Sequence, residues 1–145
     1  IKAQIAVAAG DPLPWKQKEI RQEGHALECR INAERPDHNF QPSPGLVKYF
    51  HAPGGPGVRV DSHLYSGYTV PPHYDSMVAK IICWGRSRDE SVARMRRALE
   101  ETVVEGIDTT LTFHRRILED EGFRRGDIHT GYLEEFMNRG KEAAA

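Results

Sequence analysis

Arg30 stands in the run GHALECRINAE at residues 24–34, with Glu28, Asn32 and Glu34 spaced two residues apart around it. Arginine suits the gripping of planar oxyanions, because its rigid fork donates two parallel hydrogen bonds and keeps its charge. The positions between, Leu27, Cys29, Ile31 and Ala33, are apolar. Such strict alternation predicts a half-buried strand, since successive side chains on a strand point to opposite faces. One face then enters a core, and the other lines up the arginine with carboxylates and an amide. The same pattern suits a solvated sheet face carrying surface ion pairs, each contributing little. Pattern alone leaves both readings open.

A second dense stretch, GYTVPPHYDSMVAKIICWG, fills residues 67–85. Asp75 stands at the mouth of a nearly continuous apolar run, 77–84, interrupted by Lys80. That run predicts a central strand covered on both faces. A carboxylate and an ammonium shielded from water each need a partner, although Asp75 also suits an ordinary turn.

Other chemistries find less support. The PGGPG cluster at 53–57 invites a phosphate loop, which needs a helix N-terminus directly after it. Val58-Arg59-Val60-Asp61 follows instead, so the cluster reads as a strand connection. The seven histidines (His25, His38, His51, His63, His73, His114 and His129) form no HExxH and no helix-spaced pair, and no CxxC occurs. No metal site is therefore expected. No GxSxG elbow occurs, and Cys29 and Cys83 lie in strand-like apolar runs. They read as buried, reduced thiols, which together with the absence of a signal peptide predicts a cytoplasmic protein.

These groups need a scaffold, and 145 residues suffice for one core of ordinary size. A net charge of -1 without a basic, aromatic-interleaved stretch predicts no nucleic-acid partner. No apolar run approaches membrane-spanning length. The opening Ile1 suggests a segment of something longer. Residues 1–10 read as the end of a helix with a glycine stop, and 15–23 as a polar connector. After the first strand, Pro and Gly mark a long loop at 35–45. Residues 46–51 predict a second strand, with Val47, Tyr49 and His51 on one face. Ser87 and Glu90 form a capping box. It opens an amphipathic helix from 88 to about 105, with Val92, Met95, Leu99 and Val103 inward and Gly106 as its end. Its outer face (Arg94, Arg96, Arg97, Glu100, Glu101) reads as solvated, with an oligomer contact as the alternative. Asp108 or Thr109 is expected to cap a second helix to about 120, burying Leu111, Phe113, Ile117 and Leu118 and stopping at Gly122. A third helix after Thr130 turns Tyr132, Leu133, Phe136 and Met137 inward, and 141–145 reads as a frayed tail. Strands first and helices after is an α+β arrangement.

Several motifs in one order carry a resemblance. GHALECRINAERP, the PSPG turn at 42–45, HAPGGPGVRVDSH and GYTVPPHYDSMVAKIICWG together resemble the C-terminal domain of biotin carboxylase. The likeness runs from AAGDPLP to HTGYLEEFM, nearly the whole chain. It is greatest to the biotin carboxylase component of bacterial acetyl-CoA carboxylase; propionyl-CoA, methylcrotonyl-CoA and pyruvate carboxylases come next. The resemblance implies an α+β domain at 24–139, a largely antiparallel sheet followed by amphipathic helices. Residues 1–23 would then close a helix and connector from an upstream ATP-grasp region, and 140–145 would be a tail.

The implied activity is carboxylation of carrier-bound biotin with ATP and bicarbonate, the first half-reaction of acetyl-CoA carboxylase in fatty acid synthesis. The resemblance puts the ATP and magnesium sites upstream, so this chain alone is expected to bind no cofactor and to be inactive. Arg30 matches the family arginine near the biotin ureido oxygen and bicarbonate. Asp75 is inferred to hold Arg30 in its rotamer. Arg59, in the HAPGGPGVR loop, is the candidate dimer contact, although Pro56 departs from the larger residue familiar in some members. Implied partners are the ATP-grasp region, the biotin carboxyl carrier protein, the carboxyltransferase and a second copy in a homodimer. The alternative is a non-catalytic assembly module.

Overall fold

A computed structural model describes residues 1–142, with side chains through residue 140. The alanine-rich start forms α1, Lys2–Ala8, and Gly10 follows at φ +100°. α1 buries none of its residues, and a single 3-10 turn, Gln17–Glu19, punctuates the connector. β1, His25–Asn32, obeys the alternation. Cys29 and Ile31 are buried, with Ala33 just beyond, while Glu28 and Arg30 face outward. β2, Glu34–Arg35, and β3, Gln41–Pro42, pair around the 3-10 turn Pro36–His38.

The expected second strand at 46–51 divides into β4, Gly45–Leu46, and β5, Tyr49–His51. The cause is a change of partner: Val47 N–H donates to the Tyr68 carbonyl and Lys48 N–H to that of Glu105, each at 2.8 Å. Val47, Tyr49 and His51 do not share one environment: Val47 is buried, but beyond the division Phe50 is half-buried, whereas Tyr49 and His51 are exposed. β6, Val58–Ser62, follows the glycine cluster, and β7, Thr69–Val70, pairs with β4.

β8, Met77–Gly85, is the central strand of an antiparallel sheet in the order β1-β8-β6. Its expected cover on both faces is corrected. Ala79, Ile81, Cys83 and Gly85 are buried, but on the other face Lys80 and Ile82 are half-buried and Trp84 is 44% exposed. The buried face packs under α2, Arg88–Glu101, which carries Val92, Met95, Ala98 and Leu99 into the core. Full burial of a side chain such as Leu99 contributes about 2–3 kcal/mol.

The Ser87 hydroxyl caps α2 by accepting the Glu90 N–H at 3.2 Å. The helix stops four residues before the expected 105, because Thr102, Val103 and Val104 are β-branched and find a strand to join. β9, Val103–Glu105, pairs with β5. α3, Leu111–Glu119, begins after Thr110, so neither Asp108 nor Thr109 is its cap. Ile117 is half-buried, unlike Leu111, Phe113 and Leu118. Gly122 does not stop it. Asp120 accepts the Phe123 N–H and starts α4, Glu121–Arg125, and Gly126 at φ +84° ends that helix. α5, Tyr132–Glu142, takes in residues 140–142 of the expected tail, and 143–145 lie outside the described residues. Leu133 is 42% exposed, whereas Tyr132, Phe136 and Met137 are half-buried.

Candidate functional site

β1 has a sheet neighbour on one side only, so its other edge offers unpaired backbone groups. The start of α3 closes that edge. The Thr110 N–H donates to the Asn32 carbonyl at 3.0 Å, and the Asn32 N–H donates to Thr110 Oγ1 at 3.0 Å. The same hydroxyl donates to the Arg30 carbonyl at 3.2 Å. His114 Nε2 lies 2.8 Å from that carbonyl; a carbonyl only accepts, so Nε2 carries the proton. Burial pushes the pKa of His114 down, which favours this neutral ring, although the bond to Arg30 works the other way.

The Arg30 side chain points out of the sheet beside a cleft of about 620 Å³. Asn32, Glu34, Asp75, Ser76 and His114 line the same cleft. Arg30 Nε lies 3.3 Å from Met77 Sδ, a weak acceptor, and among the described residues no carboxylate pairs with the guanidinium. Asp75 is close by but otherwise engaged: its Oδ1 accepts the Met77 N–H at 2.7 Å. Lys80 stands opposite Arg30 in the register, with Asp61 opposite Lys80 on the far strand. Glu34 Oε1 accepts from Asn32 Nδ2 at 3.1 Å and from the Ser76 hydroxyl, whereas the buried Asn32 Oδ1 has no hydrogen-bond partner among the described residues. Phe40 lines the cleft at φ +57°, a position bulky residues rarely hold, and packs edge-on against Phe113.

Arg59 lies on β6, away from this group, forked onto Asp61 with both contacts at 2.9 Å. Its guanidinium holds the Asp61 carboxyl below the usual carboxylate range. The loop before it is braced from α2, where Arg97 Nη2 donates to the Gly54 carbonyl at 3.1 Å. Arg94 likewise donates to the Trp84 carbonyl at 2.5 Å. The outer face of α2, expected to be solvated, is thus partly a bracket for the sheet.

A larger cleft of about 720 Å³ lies near Arg35 and Arg115, but its cations are engaged. Arg35 Nε donates to Asp108 at 2.8 Å, and Arg115 binds the Leu99 carbonyl. The free fork of Arg30 makes the smaller cleft the better place for chemistry on an oxyanion. Burial pushes the Cys29 thiol up to about 12 and raises that of Cys83, so both are poor nucleophiles. Among the described residues no His, Cys, Asp and Glu cluster could hold a metal. No described helix is long and apolar enough to cross a membrane.

Thr110, His114 and Phe40 were not singled out from the sequence as site residues. Thr110, the residue just before α3, and His114 are four apart, the helical spacing that puts both on one side, but nothing local says that this side meets Arg30.

Comparison with known proteins identifies the family of the chain. Residues 28–135 match the family model of the biotin carboxylase C-terminal domain. Biotin carboxylase 1 of Bacillus subtilis is 56% identical over 94% of this chain and 30% of its own length. A pyruvate carboxylase subunit of Methanothermobacter thermautotrophicus is 50% identical over 99% of this chain and 29% of its own. The biotin carboxylase domain dimer of Hydrogenobacter thermophilus 2-oxoglutarate carboxylase, solved with MgADP, ADP and bicarbonate, superposes with a TM-score of 0.87. It is 44% identical, and the match covers 91% of this chain and 29% of that one. The chain thus spans about three tenths of the length of these relatives. An α+β domain with its antiparallel sheet ahead of its helices, matched by sequence and shape alike, belongs to the biotin carboxylase C-terminal domain family.

Proposed function

We propose that this chain is one wall of a biotin carboxylase active site, and that Arg30 is its working cation. The observation that carries the reading is a guanidinium fixed at its backbone, open at its fork and facing a cleft. Biotin on a carrier protein is the substrate. Its ureido nitrogen is a poor nucleophile until deprotonated, and the negative charge then gathers on the ureido oxygen. A fixed donor aimed at that oxygen is worth roughly 3–4 kcal/mol of barrier. Arg30 supplies the donor, its guanidinium beside the cleft and free of any carboxylate among the described residues. ATP drives activation of bicarbonate in such an enzyme, and its site belongs to an upstream ATP-grasp region, leaving this chain alone without nucleotide. The carrier protein, a carboxyltransferase, a second copy of the chain and the cytoplasm complete the setting. Acetyl-CoA carboxylase is the proposed parent complex; relatives named as biotin carboxylase agree with it, while the pyruvate carboxylase likeness keeps a second acceptor in view.

The test uses the full polypeptide that carries this domain, labelled bicarbonate and free biotin. Label passing to biotin only when ATP is present supports the reading. ATP cleavage without label on biotin overturns it.

A further inference from the structure

The hydrogen bonds from α3 to β1 converge on two residues, Arg30 and Asn32, whose side chains line the cleft. A strand edge left to water opens easily, and its side chains move with it. Here Thr110, only 4% exposed, bonds to both residues through its amide and hydroxyl. His114, one turn on, adds a second donor to the Arg30 carbonyl. A backbone clamp has a consequence that a side-chain clamp lacks. An ion pair to Asp75 would occupy part of the arginine's fork. Holding the arginine through its carbonyl leaves the fork free for an incoming oxygen.

We propose that Thr110 and His114 are positioning residues, which fix the peptide of Arg30 so that its guanidinium meets the reacting oxygen. This rests on the reading of Arg30 as the cation at that oxygen. Neither residue touches substrate; each acts through the backbone of β1. Thr110 does most, as acceptor for Asn32 and donor to Arg30. His114 serves in the neutral form, its Nε2 proton already committed to the carbonyl. Displacing a reacting group by about 1 Å can cost on the order of a hundredfold in rate. Loss of either clamp bond should therefore appear in the step that needs Arg30.

The test compares Thr110→Val, His114→Leu, His114→Gln and Arg30→Ala in the full polypeptide. Two rates are followed: carboxylation of biotin, and bicarbonate-dependent ATP cleavage. Valine keeps the shape of threonine without its hydroxyl, leucine fills the ring's place without a donor, and glutamine restores an N–H. Thr110→Val and His114→Leu should slow carboxylation about ten- to a hundredfold, with ATP cleavage within about twofold of the parent. His114→Gln should recover most of the loss. Carboxylation within about twofold in both variants, while Arg30→Ala abolishes it, overturns the positioning role and leaves Arg30 standing. Equal loss of both rates, without rescue by glutamine, also overturns it and makes the clamp purely structural. Undiminished carboxylation in Arg30→Ala overturns the reading of Arg30 itself, and the clamp's role with it. If Thr110→Val does not fold, the leucine and glutamine pair at 114 decides.

Discussion

Arg30 and Asp75 meet on Met77 rather than on each other: the arginine Nε lies 3.3 Å from the Met77 sulfur, and the Asp75 carboxylate 2.7 Å from the Met77 amide. Asp75 thus shapes the turn into β8, as an aspartate at a strand mouth often does. Asparagine keeps the accepting oxygen and alanine does not. Asp75→Ala should cost about 1 kcal/mol of stability, and Asp75→Asn less than about 0.5 kcal/mol. Denaturant unfolding measures both. Loss of carboxylation in Asp75→Asn at unchanged stability would instead show that the negative charge acts on Arg30.

His114 should make this corner sensitive to acid. Its pKa is pushed below the ordinary 6.5 by burial, while Arg30, Glu34 and Asp75 line the same cleft. Above 6.5 the ring is neutral in both folded and unfolded chains. As pH falls below that value the unfolded chain takes up the proton first, so stability falls with pH. Asp108 and Asp120, whose pKa values lie below the usual 3.8, lose their stabilisation only at lower pH. The urea midpoint should therefore drop between about pH 7 and about pH 5, and His114→Gln should flatten that drop. An unchanged slope in the variant would show that other groups carry it.

Gly106 joins β9 to the α3 segment at φ +100°. A Cβ there would strike the Leu46 carbonyl and lie 3.0 Å from the Lys48 amide. Gly106→Ala should cost about 2–4 kcal/mol, overpacking and left-handed strain together. Gly10 shares the angle but would meet nothing within 4 Å. Gly10→Ala should therefore cost less than half as much, and equal thermal shifts for the two variants would contradict the packing argument.

Arg59 belongs to an exposed pair with Asp61, its side chain 72% exposed. Such pairs contribute little to folding. Arg59→Glu should barely change the melting temperature, and on the proposal that Arg59 is a dimer contact it should weaken self-association in sedimentation of the chain. A monomeric parent, or an unweakened dimer, would remove Arg59 from the interface.

The alternation at 27–33 and the N-cap at Ser87 were legible because each is a local pattern with one geometric solution; the reciprocal half of the capping box is not formed, since Glu90 Oε2 accepts the Arg86 N–H at 2.6 Å. The division of 46–51 was not, since it depends on Tyr68 and Glu105, residues distant in sequence. The end of α2 was missed for the same reason: Val103 fits a helical period and a strand equally, and pairing with β5 decides. At the site, Arg30 was visible as a charge on a strand face. Its clamp was not, because Thr110 and His114 meet it only after about eighty residues of chain have folded back. Neither was the true partner of Asp75, which a charge-pairing argument assigns to the nearest cation while the turn takes it for Met77.

The central claim is that Arg30 acts on the developing charge of biotin rather than on ATP or on folding. It is tested by measuring biotin carboxylation, bicarbonate-dependent ATP cleavage and melting temperature on one variant, Arg30→Ala, in the full polypeptide. Carboxylation should fall roughly a hundred- to a thousandfold, the scale for one preorganised donor, with ATP cleavage reduced far less. Arg30→Lys should recover only part, because a point ammonium cannot reproduce the fork. The melting temperature should stay close to the parent's, since among the described residues the guanidinium makes a single weak hydrogen bond, to Met77. Parallel loss of both rates with a large fall in melting temperature would contradict the claim and make Arg30 a residue of the fold.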